Sequence, residues 1–376
     1  MRILHIISSG GMYGAEAVIL NLSRTLNQQG HASIIGIFCN SSNPNLQLHE
    51  RSLAEGIESH LISCNGQIDR TVPASIRALA ASTKADLVHA HGYKADVYAY
   101  VALRNSALPL VSTCHTWYDD NRLVWLYGVI DRRVLRHFAA VVAVSDDVRQ
   151  RLLDSGVAAN RIHFIRNGID LRPFTNAIPS LRHLAVQPDG LLIGWVGRLT
   201  YDKGPDLFLR AIAQLRPEFP DARYILVGEG PYRPQVERLI SDLALGEVVH
   251  LLGQRSDMPA VYASCDLMVS SSRQEGLPMA ILEGMASSLP WVAPSVGAIP
   301  LAVHDGQNGT LIPPENVDIL ANSMARMMRD SGERSRAGVA AHRLTKSEFS
   351  AQRMSEDYLG VYTWVANQAR SYGVAP

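Results

Sequence analysis

The chain has 376 residues, of which 47% are hydrophobic and 19% are charged. These values are ordinary for a globular protein, so they exclude disordered and collagen-like classes. The 35 Lys and Arg residues balance 35 Asp and Glu residues, and no overall charge is available to recruit nucleic acid. We therefore expect a folded protein of about two domains without a nucleic-acid partner.

Four cysteines (Cys39, Cys64, Cys114 and Cys265) lie far apart with no C-x-x-C spacing, which predicts neither a zinc site nor a disulfide framework. The apolar run after Met1 is shorter than a signal-peptide core and is followed at once by glycines. The longest uncharged stretch, residues 284–303, contains three prolines, and we expect buried strands and turns there. Together these features predict a cytoplasmic protein.

The first half of the chain alternates short apolar runs with longer segments of helical period. Strands are predicted at 3–7, 33–38, 87–90, 110–114, 139–144 and 162–165, and helices at 15–29, 94–105, 122–137 and after Ser145. Strands that are apolar throughout belong in a parallel sheet covered on both faces. We therefore expect an α/β domain, doubly wound, over residues 1–172.

Pro173, Pro179 and Pro188 mark a linker without clear periodicity. A second alternating series then predicts strands at 191–196, 224–227, 248–251, 267–270 and 291–293, with helices at 205–215, 233–243, 279–286 and from 317 onward. This is a second doubly wound domain, placed at 173–354. In such sheets ligands collect at the carboxyl ends of strands, so we expect two domains facing a cleft.

A glycine-rich loop, Gly10-Gly11-Met12-Tyr13-Gly14, follows the first predicted strand and opens a helix. Backbone N–H groups at such a point can face an anion. The glycine spacing differs from that of dinucleotide-binding loops. A plain tight turn remains the alternative.

Arg198 and Lys203 lie five residues apart on the loop that leaves a strand, ahead of a helix that Pro205 is suited to start. Two converging cations suit a diphosphate, because arginine offers a planar fork and lysine a point charge. An exposed basic loop is the alternative interpretation.

Two glutamates stand in the segment from Glu275 to Ala286. Glu275 falls at a strand's carboxyl end, whereas Glu283 lies in an otherwise apolar helix. A carboxylate in such surroundings needs partners, and the paired hydroxyls of a ribose would supply them. A structural salt bridge is the alternative for Glu283.

Together with other segments, these residues resemble the retaining glycosyltransferases of family 4, which have the GT-B fold. The resemblance covers essentially the whole chain in the same order. The matching segments are Gly197-Arg198 with Lys203-Gly204, Leu226 to Pro231, Glu275 with Glu283, Val144-Ser145, Asn167 to Asp170, Val296 to Pro300 and Asp305 to Gly309.

The resemblance implies a role for each matching residue at a nucleoside-diphosphate sugar, linked to UDP or GDP. Arg198 and Lys203 would bind the donor diphosphate and stabilise the departing group. Glu283 would hold the ribose and Glu275 the hydroxyls of the transferred sugar. Other implied donor contacts are the amides of Gly276 and Leu277, the loop bearing Gly11 and Gly14, and Arg255 near the base.

His115, which follows a strand of the first domain, matches the family histidine near the reacting sugar, although a hydrogen-bonded structural histidine is the alternative. We interpret His89 and His91 as structural or cleft-lining residues. The resemblance also implies that the C-terminal helix, about 355–376, packs back on the first domain. Leu301 stands where many family members have glutamate, so one common carboxylate is missing.

We expect a retaining glycosyltransferase that moves a sugar to a glycan or lipid-linked acceptor in polysaccharide or glycoconjugate biosynthesis. No Asp-x-Asp is present, so we expect no metal, and no cofactor beyond the nucleotide-sugar co-substrate. The alternatives are a GT-B-shaped sugar-nucleotide epimerase, a phosphorylase, or a non-catalytic nucleotide-sugar-binding protein.

The segment 122–137 combines apolar residues with Arg132, Arg133 and Arg136. The simpler interpretation is a helix packed on its own sheet. The alternative is peripheral contact with anionic lipid at the inner face of the cytoplasmic membrane, close to a lipid-linked acceptor.

Overall fold

The computed structural model describes residues 1–11, 14–42, 44–66, 68–115, 122–187 and 189–371, without the side chains of 122–127 and 369–371. The chain forms two compact units: Met1–Gly168 with the residues from Ala351 on, and Ile169–Ser350. The predicted boundaries at 172 and 354 lie a few residues later. Ile169 already belongs to the second unit, since it is buried in that unit's core and its amide donates to Phe349 O at 2.8 Å.

The first unit contains a seven-stranded parallel sheet. Its strands are β1 (Arg2–Ile7), β2 (Ala32–Cys39), β3 (Glu58–Ser63), β4 (Leu87–His91), β5 (Leu110–Cys114), β6 (Ala140–Ala143) and β7 (Ile162–Phe164). Its helices up to this point are α1 (Gly14–Gln28), α2 (Gln47–Ala54), α3 (Val72–Ser82), α4 (Tyr93–Leu103), α5 (Arg122–Leu135) and α6 (Asp146–Asp154). The order across the sheet is β3-β2-β1-β4-β5-β6-β7. The chain therefore reverses its winding direction between β1 and β4.

The second unit contains a six-stranded parallel sheet of the same kind. Its strands are β8 (Leu192–Val196), β9 (Arg223–Val227), β10 (Val249–Leu251), β11 (Leu267–Val269), β12 (Trp291–Pro294) and β13 (Gly309–Ile312). Its helices are α7 (Arg172–Thr175), α8 (Pro205–Leu215), α9 (Arg233–Asp242), α10 (Met258–Ala263), α11 (Met279–Ala286), α12 (Ile299–Ala302), α13 (Val317–Arg329) and α14 (Ser331–Glu348). The order is β10-β9-β8-β11-β12-β13, so the reversal falls between β8 and β11.

Apolar strands explain why both sheets are covered on two faces. In β1, the side chains of Ile3, Leu4 and Ile6 are all fully buried although neighbours in a strand point to opposite faces. In the second unit Ile193 and Leu267, paired across β8 and β11, are buried in the same way. Both units are Rossmann-like α/β domains, as the sequence predicts.

The final helix, α15 (Ala351–Ser371), packs on the sheet of the first unit. Tyr358 and Tyr362 are buried on it, and the Tyr362 hydroxyl lies 2.8 Å from His89 Nδ1. The Tyr358 hydroxyl lies 2.9 Å from Thr113 Oγ1. The stripe of this helix that faces the sheet is therefore both apolar and hydrogen-bonded.

The cysteines and the long uncharged stretch lie inside this fold. All four cysteines are free, and Cys64, Cys114 and Cys265 are buried. Residues 284–303 form the end of α11, strand β12 and helix α12. Across the described residues, no helix has the length and apolar character needed to cross a membrane.

Candidate functional site

The predicted donor-site residues of the second unit follow β8 and β11, two strands that lie side by side. Leu267 of β11 pairs with Ile193 of β8, and the winding reverses at this pair. In open α/β sheets, ligands bind where the winding reverses, at the carboxyl ends of the strands. Segment 197–204, which carries Arg198 and Lys203, thus starts next to segment 270–278, which carries Glu275.

Two glycines permit close approach to segment 270–278: Gly204 from the loop after β8, and Gly297 from the loop after β12. Gly204 has φ +64°, and a Cβ there would lie 2.1 Å from Ser271 O. Gly297 has φ +53°, and a Cβ there would lie 1.7 Å from Glu275 O. Both positions therefore require glycine, on account of the backbone angle and of the space. The Ser271 hydroxyl adds a 2.6 Å hydrogen bond to Gly204 O.

This packing brings Lys203 and Glu275 into contact. Lys203 Nζ lies 2.6 Å from Glu275 Oε1, with side-chain exposures of 19% and 6%. The Ser272 hydroxyl donates to the same carboxylate oxygen at 2.9 Å. Arg198 is exposed at the start of the same loop. The arrangement offers cations for phosphate oxygens next to a carboxylate that can accept hydroxyl protons.

The chain between Glu275 and helix α11 presents backbone amides. Gly276 is exposed and a Cβ there would meet open space, whereas the side chain of Leu277 is buried. Within the part of the chain that the structure describes, the N–H groups of Gly276 and Leu277 donate to no protein acceptor. These amides precede those of Met279 and Ala280 at the start of α11, and N–H groups at a helix start favour an anion.

Glu283 lies on α11 and accepts a hydrogen bond of 2.9 Å from the Tyr262 hydroxyl. Burial raises the pKa of Glu283 to about 7, and the Tyr262 hydrogen bond lowers it by a smaller amount. No salt bridge to Glu283 is found among the described residues, so the structural salt bridge considered as an alternative is not seen there. A second carboxylate oxygen remains for a hydroxyl of a ligand.

Arg255 follows β10 and forms a two-pronged ion pair with Asp257. Its Nε and Nη2 lie 2.8 and 2.7 Å from the two carboxylate oxygens. Because this carboxylate offsets the arginine charge, Arg255 offers an anion less attraction than an unpaired arginine would. Its assignment to the base of the donor stays a prediction.

His115 directly follows β5 in the first unit. Burial lowers its pKa to about 4, so the imidazole is neutral at pH 7. Its Nε2 lies 3.4 Å from His91 Nδ1, and His91 Nε2 lies 3.0 Å from His5 Nδ1. A neutral imidazole can orient a sugar hydroxyl but cannot supply positive charge.

His5, His89 and His91 are the one group of metal-ligating side chains in the described residues whose ligand atoms all lie within 4.8 Å of one another. His89 uses both ring nitrogens, at 2.8 Å from the Tyr362 and Thr113 hydroxyls. His5 and His91 are hydrogen-bonded to each other. The group is therefore built as a buried hydrogen-bonded network, which agrees with the structural interpretation of His89 and His91.

The glycine loop of the first unit is shaped by Ser9. The Ser9 hydroxyl lies 3.0 Å from both the Gly11 carbonyl oxygen and a carboxylate oxygen of Glu16, which is buried on α1. Gly14 is exposed as the first residue of α1. The intervening residues 12 and 13 lie outside the described residues.

Arg273 is a residue of this site that the sequence did not single out. Its guanidinium forms a fork with Asp206 at 2.9 and 2.8 Å, contacts Glu315 at 2.6 Å, and lies 4.0 Å from the ring centroid of Tyr201. The one available signal was an arginine two residues before Glu275. Its partners are 67 and 42 residues away in sequence, so spacing alone could not reveal them.

Two further predicted features have a defined place. Leu301 lies on α12 and packs, partly buried, against the core of the second unit. On α5, Val134 and Leu135 are buried. Arg136, which directly follows α5, donates to Ser155 O at 2.7 Å. The end of α5 is thus packed within its own unit, while the side chains of its first residues lie outside the description.

Family models match both halves of the chain. Residues 12–172 match "Glycosyltransferase Family 4", and residues 190–330 match "Glycosyl transferases group 1". An alpha-D-kanosaminyltransferase of Streptomyces kanamyceticus is 27% identical over 73% of this chain and 76% of its own length. A D-inositol 3-phosphate glycosyltransferase of Thermobifida fusca is 29% identical over 88% of this chain and 84% of its own.

Solved structures share the fold at low sequence identity. Anabaena HepE in complex with UDP has a TM-score of 0.84 at 23% identity, covering 97% of this chain and 100% of that one. Sucrose-phosphate synthase of Thermosynechococcus elongatus has a TM-score of 0.81 at 18% identity, covering 98% and 100%. With two Rossmann-like units and matching models in both halves, the chain has the GT-B fold and belongs to glycosyltransferase family 4.

Proposed function

We propose that this glycosyltransferase uses a nucleoside-diphosphate sugar, linked to UDP or GDP, and transfers the sugar with retention of its anomeric configuration. The observation that carries the proposal is the contact of Lys203 with Glu275 at the reversal point of the second sheet. HepE, which has the same fold, was solved with UDP-glucose, and this supports a nucleotide-sugar donor.

The donor diphosphate is assigned to Arg198, Lys203 and the amides of Gly276 and Leu277. As the bond between the anomeric carbon and the phosphate oxygen breaks, negative charge accumulates on the leaving diphosphate. Cations and amides placed there lower the barrier, because they act where the charge develops. Glu275 is assigned to the hydroxyls of the transferred sugar.

Retention is proposed to occur by reaction on one face of the sugar. The acceptor oxygen bonds to the anomeric carbon on the face that the diphosphate leaves, and the acceptor proton passes to a departing phosphate oxygen. Glu275 is held by Lys203 and Ser272, which fits a hydroxyl-binding role better than that of a covalent nucleophile. His115 would orient the sugar as a neutral group.

The acceptor is proposed to be a glycan or a lipid-linked saccharide in glycoconjugate or polysaccharide synthesis at the cytoplasmic face of a membrane. The basic residues of α5 motivate this part. Because Arg136 is engaged with Ser155 O, Arg132 and Arg133 are the better candidates for lipid contact. Replacing them with alanine should weaken binding to anionic vesicles, and unchanged binding would remove the membrane part of the proposal.

The test of the proposed reaction is product analysis. The protein is incubated with UDP-glucose or a GDP-linked sugar, with and without a glycan or lipid-linked acceptor. We expect free nucleoside diphosphate and a product with the donor's anomeric configuration, read from its NMR coupling constant. We also expect turnover to persist in EDTA. An inverted product would refute retention, and activity that EDTA abolishes and Mg²⁺ restores would refute metal independence.

A further inference from the structure

Two segments of the second unit must hold a fixed relation for Lys203 to stay beside Glu275. One is the 3-10 turn Tyr201–Lys203, which follows β8, and the other is the segment 270–278, which follows β11. Lys203 itself has four rotatable side-chain bonds, so a stable position for its ammonium group requires a fixed backbone. The contacts that fix this turn centre on Arg273.

Arg273 binds the turn through both its backbone and its side chain. Its amide donates to Asp202 O at 2.7 Å, and its Nη1 donates to Tyr201 O at 2.8 Å. The guanidinium also lies 4.0 Å from the ring centroid of Tyr201. Arg273 therefore contacts both residues that precede Lys203.

Two carboxylates hold the guanidinium in this orientation. Asp206, in the first turn of α8, accepts the fork of Nη1 and Nη2, and Glu315 accepts from Nε at 2.6 Å. Glu315 adopts a left-handed backbone conformation with φ +58°, which is uncommon for a residue other than glycine. The Arg273 side chain is only 12% exposed.

These carboxylates also argue against a direct electrostatic role of Arg273 in binding an anion. Since Asp206 and Glu315 together offset its charge, Arg273 adds little attraction for an anionic ligand. Lysine could not replace it, because an ammonium group has no planar fork for Asp206 and no flat face for Tyr201. The role that remains for Arg273 is to fix the geometry of the turn Tyr201–Lys203.

We propose that Arg273 is a positioning residue for the donor site: by clamping Tyr201 and Asp202 against the segment that carries Glu275, it holds Lys203 where the donor diphosphate binds. This inference rests on the proposed function, since it takes Lys203 as a diphosphate ligand. Arg273 itself touches neither phosphate nor sugar.

The test is a double-mutant cycle read by ligand binding. Dissociation constants for UDP and GDP are measured by calorimetry for the wild type, Arg273→Lys, Lys203→Ala and the double variant. We expect Arg273→Lys to weaken binding about tenfold, as the loss of an orienting partner does at other sites. If Arg273 acts through Lys203, the double variant binds about as weakly as Lys203→Ala alone, because interacting sites are not additive.

The matched control is Arg329→Lys. Arg329 forms a similar fork, with Glu218 at 2.6 and 2.7 Å, and lies 5.9 Å from the ring centroid of Phe219 in the same unit. Its partner Glu218 follows the C-terminal end of α8, whereas Lys203 precedes the N-terminal end of that helix. Substitution of Arg329 should therefore change binding by less than about twofold and add to Lys203→Ala without coupling.

Fully additive effects of Arg273→Lys and Lys203→Ala, or an Arg273→Lys protein that binds like wild type, would overturn the inference. If Arg273→Lys fails to fold, the same cycle is run with Tyr201→Leu, which removes the stacked ring and leaves every charge in place. A wild type that binds neither UDP nor GDP would instead refute the proposed function, and the inference with it.

Discussion

Lys203 Nζ and Glu275 Oε1 lie 2.6 Å apart although the two residues are 72 positions apart in sequence. They meet because Lys203 follows β8 and Glu275 follows β11, which are neighbours where the winding of the second sheet reverses. The residue proposed for the leaving diphosphate thus contacts the residue proposed for the transferred sugar. Under the proposed roles, the two sides of the scissile bond would lie beside this contact.

Arg198→Ala and Lys203→Ala should each lower kcat by about 10²–10³, the loss seen when a donor to a developing oxyanion is removed. The reason is that each cation attracts the leaving diphosphate more strongly in the transition state than in the ground state. Initial rates at saturating donor measure this effect. Arg210→Ala, which removes an exposed arginine of α8, is the control. A raised KM with unchanged kcat in both variants would contradict the assignment.

Glu283→Ala should mainly raise the KM for the donor and change kcat less. A ribose contact exists equally in the ground and transition states, so its loss removes uniform binding. Steady-state kinetics with varied donor separate the two constants. If Glu283→Ala abolished kcat while Arg198→Ala left it intact, the roles given to these residues would be wrong.

Glu283 should also make stability depend on pH. Burial raises its pKa from 4.5 to about 7 in the folded state. Between these values the folded protein holds a proton that the unfolded chain has lost, so the free energy of unfolding falls as pH rises through this window. Above pH 7 the free energy of unfolding is therefore lower than its value below pH 4.5 by up to about 3 kcal/mol.

Denaturation of wild type and Glu283→Gln at several pH values tests this. The glutamine variant cannot ionise, so we expect equal stability near pH 4 and a more stable variant at pH 8. Glu218→Gln is a control of opposite sign, because the hydrogen bond from Arg329 lowers the pKa of Glu218. A stability difference for Glu283→Gln that does not vary with pH would show that the carboxyl ionises normally.

Gly204→Ala should destabilise the protein more than Gly306→Ala does. Both glycines are left-handed, with φ +64° and +70°, but a Cβ at Gly306 meets nothing within 4 Å whereas one at Gly204 meets Ser271 O at 2.1 Å. Gly306→Ala isolates the backbone effect, about 1 kcal/mol. Urea denaturation measures both. Equal losses of stability would contradict the close approach of Gly204 to Ser271 O.

Much of the fold could be predicted because most of its strands are apolar and several of its helices start at or next to a proline. Helices α8 and α11 begin and end where the sequence predicts, at Pro205–Leu215 and Met279–Ala286. Strand β3 was not predicted, since Glu58–Ser63 lies at a sheet edge and offers no apolar alternation: its buried Ser59 is polar and its apolar Leu61 is exposed. Strand β13, four residues beginning at Gly309, is at the other sheet's edge and is too short for a pattern.

The candidate site was predicted by residue type but not by geometry. Spacing along the chain shows that Arg198 and Glu275 follow strands, yet only the strand order shows that these strands are neighbours. Arg273 illustrates the limit, because its function is visible only through Asp206 and Glu315, which are distant in sequence. The hydroxyl partner of Glu283 on α10 was hidden for the same reason.

The central claim is that the second unit binds a nucleoside diphosphate through Lys203, and a thermal-shift comparison of UDP and GDP tests it most directly. A ligand at about 100 times its Kd adds about 2.7 kcal/mol to the free energy of unfolding, which gives a clear rise in Tm. We predict that one of the two nucleotides produces this rise in the wild type and that Lys203→Ala removes most of it. Unchanged Tm with both nucleotides, or a rise that Lys203→Ala leaves intact, would contradict the account.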